Sequence, residues 1–183
     1  MSNAPDKVAE ADFESLVDRY YQPLYRFAFS LTRTEAEAGD LTQQTFYVWA
    51  AKGHQLRDRT KVKTWLFTTL YREFLTAKRH QDRFPHVELE EAGSEGPTVS
   101  PGIINQLDAE TVVQALGRVE DQYQAPLALF YLEEHSYKEI SEILNVPIGT
   151  VQSRIARGKA RLQRILLESV EANKAQTVKA RHG

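Results

Sequence analysis

SYKEISEILNVPIGTVQSRIARGKARLQR, residues 136–164, reads as helix, tight turn, helix, and the rest of the chain is read outward from it. In its first half Ile140, Ile143 and Leu144 fall at i, i+3, i+4, the apolar face of a short helix. Ser136 is placed to cap that helix and Glu139 to close a capping box. Asn145-Val146-Pro147 ends it, because proline has no N–H and pushes the preceding residue out of helical geometry. Gly149-Thr150 opens a second helix whose inward face is Val151, Ile155 and Leu162, with Gly158 between them. Its outward face carries Gln152, Ser153, Arg154, Arg157 and Arg161. This is a helix-turn-helix whose second helix is suited to a DNA major groove. A plain helical hairpin with a solvated basic face is the alternative, and charge tilts against it. The stretch holds six bases against two acids, and no acid lies between Arg154 and Arg164.

The chain has 183 residues, long enough for one domain or two small ones, and its 42% hydrophobic content suffices for helical cores. No run approaches the roughly 18 apolar residues of a membrane span, and the polar, acidic start is no signal peptide. No membrane insertion is expected. Zero cysteines exclude disulfides and thiolate metal sites and fit a cytoplasmic location. The five histidines show no metal-ligand spacing, and there is no phosphate-binding glycine loop, nucleophile elbow or cysteine nucleophile. The expectation is therefore a protein that is not an enzyme, with no catalytic residues, metal or cofactor.

Charge is segregated along the chain. Residues 52–83 hold nine bases and three acids; residues 84–135 hold one base, Arg118, against ten acids. Two basic modules thus flank an acidic middle, whereas a protein with a single DNA-binding patch needs only one. Helical periodicity fills in the rest. Residues 12–32 place Phe13, Leu16, Val17, Tyr20, Leu24, Phe27 and Leu31 on one face, with a kink or break expected near Pro23. Thr34 can cap a second helix in which Leu41, Thr45, Val48 and Trp49 face inward while Asp40, Gln43, Gln44 and Tyr47 lie away. Residues 52–63 read as a charged loop, and residues 64–80 as a helix with Trp65, Leu66, Leu70 and Phe74 facing a core. Residues 84–106, rich in Pro, Gly and acid, read as a linker. A helix marked by Leu107, Val112, Val113, Leu116 and Val119 and a largely buried one from near Pro126 complete a four-helix C-terminal domain. The fold class is all-α: a helical bundle and a helix-turn-helix domain joined by a flexible acidic linker. With a Debye length of roughly 10 Å at 0.1 M salt, that tether is expected to fold back, so that Glu88, Glu90, Glu91 and Glu95 cover a basic face of a compact free chain.

Several segments resemble extracytoplasmic-function (ECF, group IV) RNA polymerase sigma factors of the sigma-70 family. YYQPLYRFAFSLT is similar to the first family helix. DLTQQTFYVWA, residues 40–50, is similar to the segment that docks on the β′ clamp helices of polymerase. KTWLFTTLYREFL is similar to the helix bordering the −10 pocket. YKEISEILNVPIGTVQSRIARGKARL, the most specific match, is similar to the −35 reader. The chain departs from the pattern at Gly39, Gln44, Arg72 and Thr76.

The resemblance implies a domain at 10–83 for polymerase docking and for −10 recognition and melting, a linker at 84–106, and a −35 domain at 107–168. It implies polymerase contacts at Asp40, Gln43, Gln44 and Phe46. It places Gln152, Ser153, Ala156 and Arg157 at base edges of the −35 element, with Arg154 and Arg161 nearer phosphates. A −10 element held as single strand needs a positive groove with stacking surfaces, and Arg57, Arg59, Lys61 and Lys63 supply the charge. Core RNA polymerase (β′ clamp helices and β subunit), promoter DNA and an anti-sigma factor are the implied partners. A helix-turn-helix regulator acting without polymerase is the alternative.

Overall fold

The computed structural model describes residues 4–83 and 109–180; the linker and its four glutamates lie outside the described residues. The described residues form helices and helical turns only: α1 (Ala4–Thr32), α2 (Glu35–Lys52), 3-10 turns at Gly53–Gln55 and Arg59–Lys61, α3 (Val62–Arg83), α4 (Ala109–Leu116), α5 (Asp121–Tyr131), α6 (Tyr137–Leu144) and α7 (Ile148–Ala180).

α1 runs through Pro23 without a break. Leu24, Phe27, Ala28 and Leu31 are all buried, and their packing outweighs the one backbone hydrogen bond that proline removes. Thr34 caps α2, its hydroxyl oxygen accepting from the Glu37 N–H at 3.3 Å. Thr42 and Thr45 sit inside the α1–α2 contact because each hydroxyl donates back to the carbonyl four residues earlier, at 2.8 Å, and so leaves no orphan donor.

In the second half, α5 begins at Asp121, a turn before the expected start, with Pro126 inside it. Every residue from Tyr123 to Leu129 is buried. A helix buried all round needs partners on more than one side, and α5 has them: α4, α6 and α7 from its own half and α1 from the other. Against α7 the approach is close enough to require glycine. A Cβ on Gly158 would stand 2.8 Å from Leu127 Cδ1 and 2.9 Å from Tyr123 Cβ.

The two halves therefore pack together directly, α3 on α6 and α1 on α4 and α5. Buried residues of both halves form one continuous apolar cluster. Apolar packing joins the halves; the fold-back of the acidic tether onto a basic face lies outside the described residues.

Candidate nucleic-acid interface

The helix-turn-helix is locally determined. Ser136 and Glu139 form both bonds of the capping box: the Ser136 N–H donates to Glu139 Oε2 at 2.8 Å and the Glu139 N–H to Ser136 Oγ at 3.3 Å. The Ser136 N–H, and with it the Ser136 hydroxyl donating to the same oxygen at 2.7 Å, hold the Glu139 carboxyl below its usual range. Asn145, left-handed at φ 52°, ends α6, and the Val146 N–H reaches the Ser141 carbonyl at 3.2 Å, a Schellman closure. Pro147 then starts α7, its carbonyl accepting from Thr150 and Val151. With Val151, Ile155 and Leu162 buried, the opposite face is fixed outward. Gln152, Ser153, Ala156, Arg157 and Arg161 are exposed along it. Arg161 lies 3.6 Å from Glu120. Arg154 is only half-exposed and stands near Tyr71 of α3. Burial raises the Tyr71 phenol, and the Arg154 guanidinium and Lys78 pull it the other way.

The loop between α2 and α3 is organised by Asp58, which accepts from the Thr60 N–H at 3.0 Å and from its hydroxyl at 2.6 Å. Arg57 and Arg59 are exposed. Beside them a hollow of about 580 Å³ is lined by Phe13, Leu16, Trp49, His54 and Arg59. It combines apolar and aromatic walls with a guanidinium and, from Asp12, a carboxylate. Lys61 and Lys63 turn toward the second half of the chain. Lys61 lies 3.8 Å from Glu142 of α6, and Lys63 donates to the Glu133 backbone carbonyl.

On α2, Asp40, Gln43 and Gln44 are exposed. Phe46 is not on that stripe: it is 7% exposed, stacked on Tyr21 at 6.4 Å and edge-on to Phe13 at 6.4 Å. The aromatic ring that reaches solvent is its neighbour Tyr47, 71% exposed. Phe46 follows Thr42 by four residues and so falls on the face packed against α1, whereas Tyr47 follows Gln43 and Gln44 by four and three.

Four polar residues at the junction of the halves carry no local sequence signal. Arg26 of α1 donates from Nε and Nη2 to Glu133 Oε1 at 3.3 and 3.2 Å. Burial raises the Glu133 carboxyl to about 7, although Arg26 and then Lys63 pull it down. His135 is wholly buried in its side chain, with its ring edge-on to Phe67 at 4.8 Å. Neither of its ring nitrogens has a hydrogen-bond partner. Burial first, and Lys63 second, lower its imidazole to about 4, with Glu139 opposing. Asp121, the fourth, meets both Arg33, at 3.5 Å, and Lys78. The hydrogen bond from Lys78 is the main reason its carboxyl lies below the usual range.

Residues 16–84 match the family described as Sigma-70 region 2, and residues 109–162 match Sigma-70, region 4. The two regions in this order define a sigma-70 type transcription initiation factor, which directs RNA polymerase to promoters; a helix-turn-helix regulator acting without polymerase does not account for region 2. Among its relatives the ECF RNA polymerase sigma factor SigW of Bacillus subtilis is 31% identical over 168 residues, covering 84% of this chain and 88% of that protein. The RNA polymerase sigma factor YlaC of the same organism is 30% identical, covering 86% and 94%. Among solved structures, the sigma factor RpoE in complex with the anti-sigma factor NepR from Bartonella quintana has a TM-score of 0.70 at 28% identity, covering 85% of this chain and 96% of that one. The chain belongs to the ECF sigma factors. Among the described residues no helix is long and apolar enough to cross a membrane, and no cluster of His, Asp or Glu could hold a metal ion.

Proposed function

We propose that this sigma factor divides promoter recognition between its two halves and takes no chemical step itself. The domain at 10–83 docks on the β′ clamp helices of core polymerase through Asp40, Gln43 and Gln44, with Tyr47 as the exposed aromatic of that stripe. The same domain captures the −10 element as single strand. Arg57, Arg59, Lys61 and Lys63 neutralise phosphate, and the hollow beside His54 and Trp49 receives an extruded base. The domain at 107–168 reads the −35 duplex. Gln152, Ser153, Ala156 and Arg157 face base edges, and Arg154 and Arg161 hold the backbone.

The observation that carries this reading is the exposed face of α7 over residues 152–164, which holds no acid and is set outward by Val151, Ile155 and Leu162 on the buried side. The polymerisation chemistry belongs to the partner enzyme. The chain works in the cytoplasm with polymerase, and an anti-sigma factor is its regulatory partner, as in the related complex with NepR.

Run-off transcription with core polymerase on genomic fragments tests the reading. Promoter-dependent transcripts are expected from the native chain, and none from a chain in which Arg157 and Arg59 are both replaced by alanine. Equal transcription from both would overturn the site assignment.

A further inference from the structure

Two large hydrophobic side chains are exposed among the described residues, Tyr47 at 71% and Ile148 at 47%. Tyr47 completes the α2 stripe proposed to meet polymerase. Ile148, the first residue of α7, serves neither the core nor the helix it starts. Val146, two residues earlier, packs against the apolar cluster, while Ile148 is left outside it. A β-branched residue is also a weaker helix former than alanine or leucine.

The turn gives Ile148 no freedom to swing inward. Val146 is tied to Ser141 through both of its backbone groups: its N–H donates to the Ser141 carbonyl at 3.2 Å, and its carbonyl accepts from the Ser141 hydroxyl at 2.6 Å. Pro147 restricts φ at the next residue, and its carbonyl accepts from the Thr150 and Val151 N–H groups at 2.9 and 3.2 Å. Val151 is fully buried, so the first turn of α7 is fixed in rotation and holds Ile148 outward.

That position stands at the head of a strip. Ile148, Gln152 and Ala156 follow one another at i, i+4 and i+8, all exposed, and share one side of α7. At a rise of about 1.5 Å per residue, Ile148 precedes Gln152 by about 6 Å along the axis, close to two base-pair steps of roughly 3.4 Å. In a helix-turn-helix the N-terminal residues of the second helix are those that meet base edges.

An aliphatic side chain in a major groove has one favourable counterpart. Donors and acceptors on the base edges would lose water to it and gain no partner. Thymine alone presents an apolar group there, its C5-methyl. We infer that Ile148 is a specificity-determining residue of the −35 reader, which packs on a thymine methyl about two base pairs from the base that Gln152 meets. The inference rests on the −35 assignment of α7. The stiff χ1 of a β-branched side chain keeps the entropic cost of the contact small.

The test uses the full chain assembled with core polymerase, on a promoter recovered by run-off transcription. Each thymine of the −35 element is replaced in turn by deoxyuridine, which removes the C5-methyl and leaves every hydrogen-bonding group in place. One such replacement should weaken binding of the native complex about fourfold, the worth of one buried methyl-sized group. Ile148→Ala should bind the unmodified promoter at least about fourfold more weakly and should not distinguish thymine from deoxyuridine at that position. Ile148→Val, which keeps the branch, should retain part of the discrimination. Since Ile148 lies outside the core, both variants should melt with the native chain.

A native complex indifferent to every deoxyuridine would overturn the inference, as would an Ile148→Ala complex that discriminates as the native one does. Arg157→Ala, read on a panel of single-base −35 variants, separates this failure from that of the reading beneath it. If Arg157→Ala relaxes specificity at one position, α7 lies in the groove and the role of Ile148 alone is lost. An even loss across the panel removes the base-reading face of α7, and Ile148 with it.

Discussion

Acidification from pH 7.5 to 5 should leave the stability of the native chain nearly level, while two single substitutions give it slopes of opposite sign. The reason is a pair of buried groups perturbed in opposite directions two residues apart. His135 is packed against Phe67 with Lys63 nearby and only Glu139, 3.9 Å from Nδ1, to favour its charge. Burial and Lys63 lower it from 6.5 to about 4. Unfolded imidazole binds a proton below pH 6.5 and the packed ring does not until about 4, so His135 costs stability as pH falls through that window. Glu133 behaves conversely. Burial raises it from 4.5 to about 7, so the packed carboxyl takes its proton first. The stability it contributes is complete below 4.5 and is lost as pH rises through 7. At pH 5 each effect amounts to about 2 kcal/mol relative to pH 7.5, with opposite sign. Folding between 4.5 and 6.5 in effect moves a proton from His135 to Glu133 with no net uptake. His135→Leu removes the loss and leaves the gain, so its stability should rise by about 2 kcal/mol on acidification. Glu133→Gln should fall by a similar amount. For a chain of this size that is about 4–8 °C in melting temperature each way. Thermal melts at the two pH values, taken as variant minus native, read the effect directly. Parallel curves for both variants and the native chain would refute the reasoning, and a slope in the native chain matching His135 alone would mean that Arg26 keeps Glu133 ionised throughout.

On α2, Tyr47→Ala and the pair Asp40→Ala with Gln43→Ala should weaken binding to core polymerase and leave the melt unchanged, whereas Phe46→Ala should lower the melt by the equivalent of about 3–5 kcal/mol; surface plasmon resonance and calorimetry separate the two outcomes. Arg157→Ala should cost about 1–3 kcal/mol at one −35 position in a panel of single-base variants, whereas Arg161→Ala should weaken all sequences alike and flatten the salt dependence. Gly158→Ala should destabilise the second domain, since its Cβ would stand 2.8 Å from Leu127. Gly39→Ala, whose Cβ meets no atom within 4 Å, should stabilise α2 by about 0.5–1 kcal/mol; denaturant melts of both decide.

What the sequence made legible is what short-range rules determine. The capping box at Ser136 and Glu139, the turn at Asn145-Val146-Pro147 and the buried stripe of Val151, Ile155 and Leu162 each follow from residues a few positions apart, and the structure forms every one of them. The exposed stripe of Asp40, Gln43, Gln44 and Tyr47 follows from the same periodicity. A break at Pro23 and a helix start near Pro126 are absent for a related reason. A proline's local cost is fixed, but whether the helix bears it depends on packing by distant residues: α1 is held by Leu24 and Phe27, and α5 by burial from Tyr123 to Leu129.

Arg26 and Glu133 stand 107 residues apart, so no period, cap or motif links them. Glu133 falls in the acidic middle of the chain, yet its side chain is 3% exposed. The available signal was in α5 itself. YQAPLAL, residues 123–129, offers no polar face, and a helix with no polar face needs a second layer that its own small domain does not provide. Once that layer is the first domain, the turn after α5 must lie in the interface, and its polar residues must find partners there or titrate. Arg26 and Lys63 are the partners that Glu133 finds there, and Lys61 meets Glu142 of α6, so that two cations legible in the sequence only as loop charge also serve the contact between the halves.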